Sequence, residues 1–299
     1  MKESAFFTII VVSYNAGDRM FKTLESIKAQ TYKNYRVLIK DGMSTDGSID
    51  RLKKLYEPVS LGEAAGERFA LYESCDNGIY HAMNIAVGHV KDLPGITDNP
   101  SYVYFLNCGD LFADSDVLQR VHDFIVERNS RKGTTIPSVY YGDIFDVSAG
   151  SKVPSNPVID DYACYRNVPS HQACFYDYRL MASNPFDLKY RVRADYEQFL
   201  RCFYRDRADA VYMPVTIADY EGGGFSDRNK KISETERREI IAMYLDPSKV
   251  RKYDLLRVLT LSGVRTFLSS NKLTSGLYNA VKNAVYDAKN KKSSGGNRR

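Results

Sequence analysis

Residues 102–112 read YVYFLNCGDLF, and this stretch decides the fold. It begins with an unbroken apolar and aromatic run, which stops at Asn107 and leads to Asp110. Such a run, bounded by turn residues, is typical of a strand that ends in a carboxylate and is buried on both faces of a parallel sheet. Ligands of open α/β sheets bind where these strands end. An aspartate after a glycine is equally typical of a turn, so Asp110 alone leaves both alternatives open.

The composition is that of a folded chain with a modest positive charge. Of its 299 residues, 43% are hydrophobic, which allows one large domain or a domain with an appendage and excludes disorder of the whole chain. A net charge of +5 does not require a nucleic-acid partner, and we expect none. Five cysteines without a Cys-x-x-Cys pair predict free thiols in a reducing cytosol, and neither a zinc site nor a disulfide framework.

The apolar segments are too short to cross a membrane. No segment approaches the twenty apolar residues that a span requires. The run 6–12 lacks a cleavage site of small residues and is interpreted as the first buried strand. We therefore expect a cytoplasmic protein, and a location on the inner face of the cell membrane would be peripheral.

The first part of the chain alternates strand and helix patterns. Strands are predicted at 6–12, 35–39, 69–72 and 102–106, each followed by a polar turn and a helical pattern. Right-handed crossovers place each intervening helix against one face of the sheet. The class predicted is therefore α/β, with a doubly wound, mostly parallel sheet flanked by helices. The chain contains neither the glycine motif of dinucleotide-binding folds nor a phosphate loop.

The pattern after residue 112 is less regular. A helix is predicted at 117–125, and Asp195 is expected near the N-cap of another helix that starts at about Arg193. The remaining predicted elements are a strand at 139–145 interrupted at Gly142 and Asp143, a long loop at 146–169, a strand at 170–176, and short strands at 211–213 and 217–220.

The last part of the chain changes character. A domain of residues 1–230 is expected to be followed by a helical extension, 231–288, because apolar residues recur there at helical spacing. Lys and Arg far outnumber Asp and Glu after Ser248. Such helices fit docking to an anionic membrane surface, and a solvated basic face is an equal alternative. Residues 289–299 are predicted to form a disordered basic tail.

Six short motifs occur in a specific order between residues 6 and 226. They are Val11-Val12-Ser13-Tyr14-Asn15, Ile39-Lys40-Asp41-Gly42-Met43-Ser44-Thr45-Asp46-Gly47, Asp76-Asn77-Gly78-Ile79-Tyr80 with Asn84, Leu106-Asn107-Cys108-Gly109-Asp110, Ser170-His171-Gln172 and Ala194-Asp195-Tyr196-Glu197. Each motif is weak alone. Together and in this order they resemble the glycosyltransferases of family 2, which have the GT-A fold. The segment after Ser233 lies outside the resemblance.

The resemblance implies an inverting, metal-dependent transferase. It would move a hexose or N-acetylhexosamine from a uridine diphosphate donor to a glycan or lipid-linked oligosaccharide in surface polysaccharide biosynthesis. The family holds Mn²⁺ or Mg²⁺ with an Asp-x-Asp motif or a variant of it, which implies Asp110 as the metal ligand. Asn107, Cys108 and Gly109 provide no second carboxylate here. A metal would therefore need the diphosphate to complete its coordination.

The resemblance also assigns roles to individual residues. The residues on the nucleotide and donor side are Ser13, Tyr14, Asn15, Asp41, Asp76, Gly78, Asn84, Asn107 and Asp110. Asp41 would accept a hydrogen bond from the imide N–H of uracil, and Asp195 would take the proton of the acceptor hydroxyl. His171 and Glu197 would lie on the acceptor or diphosphate side, although Glu197 points elsewhere if the segment is helical.

Each of these roles has a structural alternative. Asp41 fits a turn residue, Asp195 fits an N-cap, Asn84 fits a locally bonded helix residue, and His171 fits a partly buried structural histidine. A catalytically impaired sugar-nucleotide or glycan binding module is the alternative for the whole chain, because the metal motif has one carboxylate. A sugar nucleotidyltransferase is disfavoured, since residues 13–18 are not a glycine-rich basic loop.

Overall fold

The computed structural model describes residues 5–60, 68–93, 101–132, 136–222 and 229–259. Within these ranges, ten strands form one mixed sheet. The strands are β1 (Phe6–Ser13), β2 (Tyr35–Asp41), β3 (Val59–Ser60), β4 (Phe69–Glu73), β5 (Ser101–Phe105), β6 (Leu111–Phe112), β7 (Ser138–Asp146), β8 (Ser151–Val153), β9 (Cys174–Asp177) and β10 (Asp209–Tyr220). The helices are α1 (Asp18–Lys28), α2 (Ser48–Tyr56), α3 (Ile79–His89), α4 (Val117–Lys132), α5 (Asp161–Arg166), α6 (Tyr178–Ser183), α7 (Ala194–Tyr204), α8 (Lys230–Tyr244) and α9 (Pro247–Leu259).

The N-terminal half of the sheet is parallel, as predicted. Its strands lie in the order β3-β4-β2-β1-β5, and each neighbouring pair is parallel. Ser13 at the end of β1 lies opposite Asp41 at the end of β2, so the polar turns that follow both strands meet at one edge. The predicted mostly parallel α/β class is confirmed.

The other half of the sheet is mixed. β9 pairs antiparallel with both β5 and β7, and β7 pairs in parallel with β10. Two hydrophobic clusters cover the sheet. In one of them Phe175 of β9 stacks on Tyr104 of β5 with ring centroids 4.4 Å apart. This packing joins the two halves into one core.

The stretch 102–112 departs from its prediction in one respect. The strand ends at Phe105 rather than at the carboxylate, and residues 106–110 form a turn in which the amide of Asp110 donates to the carbonyl of Asn107 at 3.0 Å. Gly109 has a φ of +107° within this turn, a conformation that favours glycine. β6 follows and pairs antiparallel with β10, which brings Asp110 to the end of β10.

Strand β7 is continuous, so the predicted interruption at Gly142 and Asp143 is wrong. A Cβ on Gly142 would lie 2.3 Å from the carbonyl oxygen of Val215, which explains why glycine occurs inside this strand. The predicted strands 211–213 and 217–220 are one strand, β10. Register shifts on either side of Thr216, close to Pro214, give β10 the sequence pattern of two short strands.

Two further predictions are corrected between residues 146 and 176. The expected loop 146–169 contains β8 and α5, and α5 is capped by the Asp160 carboxylate, which accepts from the amide of Ala163 at 2.7 Å. The expected strand 170–176 begins only at Cys174, because His171, Gln172 and Ala173 form a single 3₁₀ turn. All five cysteines are free, as predicted.

Helix α8 packs against α7. Ile240 and Ile241 are buried in the same hydrophobic cluster as Tyr196 and Phe199 of α7. The proposed boundary between 1–230 and 231–288 remains a prediction, and the tail 289–299 lies outside the described residues. Among the helices of the described ranges, none has the length and apolar character of a membrane span.

Candidate active site

Two adjacent cavities lie where the strands of the parallel half end. The first has a volume of about 480 Å³, and its lining includes Asn107, Asp110, His171 and Asp195. The second has a volume of about 530 Å³, and its lining includes Ser13, Tyr14, Asp76 and Gly78. Val12, Tyr14 and Ile79 belong to both linings, so the cavities are neighbours. The structure therefore brings most of the residues predicted from sequence to one edge of the sheet.

Asp110 forms a bridge between three parts of the first cavity. One carboxylate oxygen accepts from the backbone amide of Glu221 at 3.0 Å, and the other accepts from the side-chain amide of Gln172 at 3.3 Å. Only 5% of Asp110 is exposed. Burial raises the pKa of its carboxyl, against the opposing effects of the Glu221 amide, His171 and Gln172.

Asn107, three residues before Asp110 in the chain, also lines this cavity. Its amide nitrogen lies 3.1 Å from Nε2 of His171, whereas its buried Oδ1 has no hydrogen-bond partner among the described residues. A carboxylate and an amide oxygen are ligands that Mg²⁺ and Mn²⁺ accept. The residues therefore fit a hard divalent cation. No group of three or more His, Cys, Asp or Glu side chains suited to a metal occurs in the described part of the chain.

Asp195 lies at the first turn of α7, and three groups surround its carboxylate. Nδ1 of His171 lies 3.3 Å from Oδ2, while the Tyr80 hydroxyl and the Tyr196 amide lie 3.1 and 2.8 Å from Oδ1. Burial opposes ionisation, but His171, the charge of Arg193 and the Tyr196 amide together hold the pKa of Asp195 below its usual value. The carboxylate is therefore ionised at neutral pH and available as a proton acceptor.

Two consecutive residues, His171 and Gln172, connect the two carboxylates of the cavity wall. Nδ1 of His171 donates to the Asp195 carboxylate at 3.3 Å, and Nε2 lies 3.1 Å from the amide nitrogen of Asn107. Gln172, the next residue, donates to Asp110. One short turn thus fixes side chains on both sides of the cleft, and this relation was not predicted from the sequence.

Asp76 in the second cavity is held by a buried lysine. Nζ of Lys40 forms an ion pair with Oδ2 of Asp76 and donates to the Ser74 carbonyl at 2.6 Å, and the Lys40 side chain is fully buried. The amide of Gly78 donates to the other oxygen of Asp76 at 3.0 Å. A Cβ on Gly42 would lie 2.9 Å from Oδ2, so Gly42 leaves room for this carboxylate.

Asp41 is enclosed in its own turn. This corrects the expectation that its carboxylate reaches the uracil ring of a nucleotide. Its oxygens accept from the amide of Ser44 at 2.7 Å and from the hydroxyl of Ser44 at 2.6 Å, and the residue is fully buried. Asn15 lines the first cavity and braces the same turn, since its side-chain oxygen accepts from the amide of Thr45 at 2.8 Å. The turn-residue alternative therefore describes Asp41 in this structure.

Two other predicted site residues line neither of the two cavities. Asn84 is occupied by the backbone of Phe186, to which it donates at 2.8 Å and from which it accepts at 2.7 Å. Glu197 is buried, where it accepts from Arg201 at 2.9 Å and from the Tyr244 hydroxyl at 2.5 Å. The expected contacts of Asn84 with a donor and of Glu197 with an acceptor or diphosphate are thus replaced by structural hydrogen bonds.

Some residues of the site were not singled out from the sequence. Lys40 could have been identified from the sequence, because a lysine within an apolar strand run indicates a buried and paired charge. Arg19 and Glu221 form an ion pair beside Gly109 at the wall of the first cavity, and 202 positions separate them in the chain. No sequence pattern indicates a contact over that distance.

Comparisons with known proteins indicate the class of protein. The glycosyl transferase family 2 profile matches residues 8–145. A PGL/p-HBAD biosynthesis glycosyltransferase of Mycobacterium tuberculosis is 33% identical over 224 residues, which is 74% of this chain and 79% of the relative. The Escherichia coli UDP-Glc:alpha-D-GlcNAc-diphosphoundecaprenol beta-1,3-glucosyltransferase WfaP is 26% identical over 207 residues, or 62% of this chain and 77% of that protein.

A solved structure shows the same architecture. Staphylococcus aureus TarS 1-349 in complex with UDP superposes with a TM-score of 0.59 and 16% identity, over 90% of this chain and 76% of TarS. At this identity the likeness shows the fold alone, and it confirms the expected GT-A architecture. The fold, the site and the relatives together define a glycosyltransferase. The chain belongs to glycosyltransferase family 2.

Replacing the buried carboxylate of Asp110 by an amide is expected to separate stability from function. Because the pKa of Asp110 is raised in the folded state, its charge costs stability at pH 7 and this cost disappears as the pH falls. Asp110→Asn should therefore unfold at the same or a higher temperature than the wild type at pH 7. The difference should shrink toward pH 4, while sugar transfer falls about 100-fold or more.

Thermal unfolding at several pH values and a transfer assay measure the two effects. The matched control is Asp123→Asn, which changes an exposed carboxylate and should alter neither property. A large loss of stability in Asp110→Asn at pH 7 would show that the charge is needed for folding.

Proposed function

We propose that the chain is an inverting glycosyltransferase that uses a UDP-hexose or UDP-N-acetylhexosamine donor. The acceptor is a glycan or a lipid-linked oligosaccharide, in surface polysaccharide biosynthesis. The observation that carries the proposal is the position of the Asp195 carboxylate, which lies in the same cleft as Asp110 and Asn107 and within hydrogen-bond distance of His171 and Tyr80. The names of WfaP and of the TarS complex support a UDP-linked donor, and the name of WfaP supports a lipid-linked acceptor.

Asp195 acts as the general base. The acceptor hydroxyl transfers its proton to the carboxylate while its oxygen attacks the anomeric carbon from the face opposite the diphosphate. A single displacement of this kind inverts the configuration and needs no covalent nucleophile. The hydrogen bond from His171 and the Tyr80 hydroxyl orient the carboxylate, so that it receives the proton from a fixed direction.

Asp110 and Asn107 would hold the divalent cation, Mn²⁺ or Mg²⁺, together with oxygens of the donor diphosphate. The cation supplies charge neutralisation on the leaving diphosphate. The Gln172 amide and the Glu221 backbone amide fix the Asp110 carboxylate in the cleft. Arg19, which forms an ion pair with Glu221 beside Gly109, also lines this wall.

The second cavity would receive the nucleoside. Tyr14 is 69% exposed there and offers an aromatic face, and Asp76 offers a carboxylate to ribose hydroxyls while Lys40 balances its charge. Ser13 and Gly78 complete this part of the wall. Since Asp41 is enclosed, the preference for uridine rests on the relatives and not on that carboxylate.

Removal of the proposed base is expected to abolish transfer while donor binding is retained. Asp195→Asn keeps the shape of the side chain but cannot accept the proton, so kcat should fall about 10²- to 10⁴-fold with an unchanged Kd for UDP. The measurements are transfer from a panel of UDP-sugars and titration calorimetry with UDP. Glu197→Gln is the matched control on the same helix turn and should retain most of the activity. Equal turnover of Asp195→Asn and wild type would refute the role of Asp195.

The alternative of a binding module without catalysis predicts a different response to metal. If Asp110 and Asn107 share a cation with the diphosphate, UDP should raise the unfolding temperature much more in the presence of Mn²⁺ than without it. Saturation at 100 times Kd adds about 2.7 kcal/mol to the free energy of unfolding. The same shift with and without Mn²⁺ would favour the module, and the Asp110→Ala variant is the control.

The C-terminal helices are proposed to dock on the anionic inner face of the cell membrane. On α9 the exposed side chains of Leu255 and Val258 lie four and seven residues after the exposed Arg251, which places them on one face of the helix. This combination of apolar and basic side chains fits anionic lipid headgroups.

Binding to anionic vesicles should therefore depend on this face and on salt. We expect sedimentation with phosphatidylglycerol vesicles at low salt, weaker sedimentation at 0.5 M salt, and none with phosphatidylcholine. Replacing Leu255 and Val258 by Asp should reduce binding at least tenfold. Leu55→Asp, at an exposed position on α2, should not. Absence of sedimentation at low salt would remove the membrane proposal.

A further inference from the structure

Three consecutive backbone amides converge on one carboxylate near the candidate active site. The amide of Arg191 donates to Oε1 of Glu236 at 2.9 Å, and the amides of Val192 and Arg193 donate to Oε2 at 3.0 and 2.9 Å. Glu236 lies on α8, and only 9% of it is exposed. Successive amides of this kind form a concave site for an anion. Here the anion is a side chain of the C-terminal helix.

The segment held in this way leads directly to Asp195. Arg193 is the N-cap of α7, and Asp195 is the second residue of that helix. Arg191, Val192 and Arg193 also line the cleft. A shift of the segment would therefore move both the proposed base and part of the cleft wall.

Other contacts fix the segment from two sides. The Tyr80 hydroxyl lies 3.0 Å from the carbonyl oxygen of Val192 and 3.1 Å from the Asp195 carboxylate. The position of this hydroxyl therefore depends on the segment and on Asp195. Nε of Arg193 donates to the Ser233 hydroxyl of α8 at 2.8 Å. Glu236 is the carboxylate that accepts from the backbone of this segment, and hydrogen bonds to an ionised acceptor are the stronger ones.

We propose that Glu236 is a positioning residue for the proton transfer, and that α8 is a part of the catalytic unit. Glu236 touches neither substrate nor reacting atoms and acts through Asp195. It fixes the backbone of residues 191–193, so that the Asp195 carboxylate enters the cleft in one orientation. The inference rests on the proposed function, in which Asp195 is the base.

The test compares two glutamates of the same helix. Glu236→Gln keeps the side-chain volume but has one acceptor oxygen in place of two, so the three amides are no longer all satisfied. We expect kcat to fall at least tenfold, while the Kd for UDP stays within twofold of the wild type. Glu236→Ala should lower kcat further. Glu234→Gln, which loses ionic contacts with Arg237 and Arg238 but none with the segment, should keep its kcat.

Hydrogen exchange distinguishes positioning from a general loss of stability. In Glu236→Gln the amides of residues 191–193 should exchange faster, while those of β1 and β5 keep their protection. If Glu236 served only stability, Glu236→Gln would leave the kcat of the folded protein unchanged, and that result would overturn the inference. Where Glu236→Ala does not fold, Glu236→Gln still provides the test.

A double variant separates failure of this inference from failure of the proposed function. If Glu236 acts through Asp195, adding Glu236→Gln to Asp195→Asn should cause no further loss of residual turnover. Full activity of Asp195→Asn would refute the base and therefore the proposed function. An inactive Asp195→Asn combined with a fully active Glu236→Gln would refute the positioning role alone.

Discussion

The buried carboxylate of Asp110 is the interaction on which the rest of the site depends. It joins the turn after β5 to the end of β10 through the amide of Glu221, and to the turn before β9 through Gln172. The parallel half of the sheet and the mixed half therefore meet at one charged group. A charge in this position costs desolvation energy, and two hydrogen bonds offset only a part of it. The chain accepts this cost at the place where a ligand with opposite charge is expected to bind.

The turn before β9 links Asp110 to the opposite side of the cleft. Gln172 contacts Asp110, and its neighbour His171 contacts both Asn107 and Asp195. The two carboxylates consequently have opposite environments. Burial raises the pKa of Asp110, whereas the donors and positive charge around Asp195, whose side chain is 28% exposed, lower the pKa of that carboxyl. Groups with such different surroundings are suited to different tasks, one to bind a cation and the other to accept a proton.

The sequence predicted the parallel half of the fold and the two carboxylates, because unbroken apolar runs and turn motifs are local signals. It did not predict that β10 is continuous past Pro214, because a bulge depends on pairing with β7. The sequence predicted that Asp41 contacts the nucleotide, whereas in the structure the amide and hydroxyl of Ser44 donate to that carboxylate and enclose it. The partner of Asp110 at Glu221 lies 111 positions away, and no local pattern encodes such a contact.

In the proposed function the protein contributes one carboxylate, Asp110, to the cation, and this affects how cation and donor bind. A divalent cation with one carboxylate and one amide oxygen as protein ligands is held less tightly than one with two carboxylates. An acidic residue at position 107 would add a second buried negative charge near Asp110, and the desolvation cost of two such charges would be large. Asn107 is uncharged and avoids this cost. The diphosphate must then supply the missing negative oxygens. Cation and donor are therefore expected to bind together, and the cation would then neutralise the buried charge of Asp110.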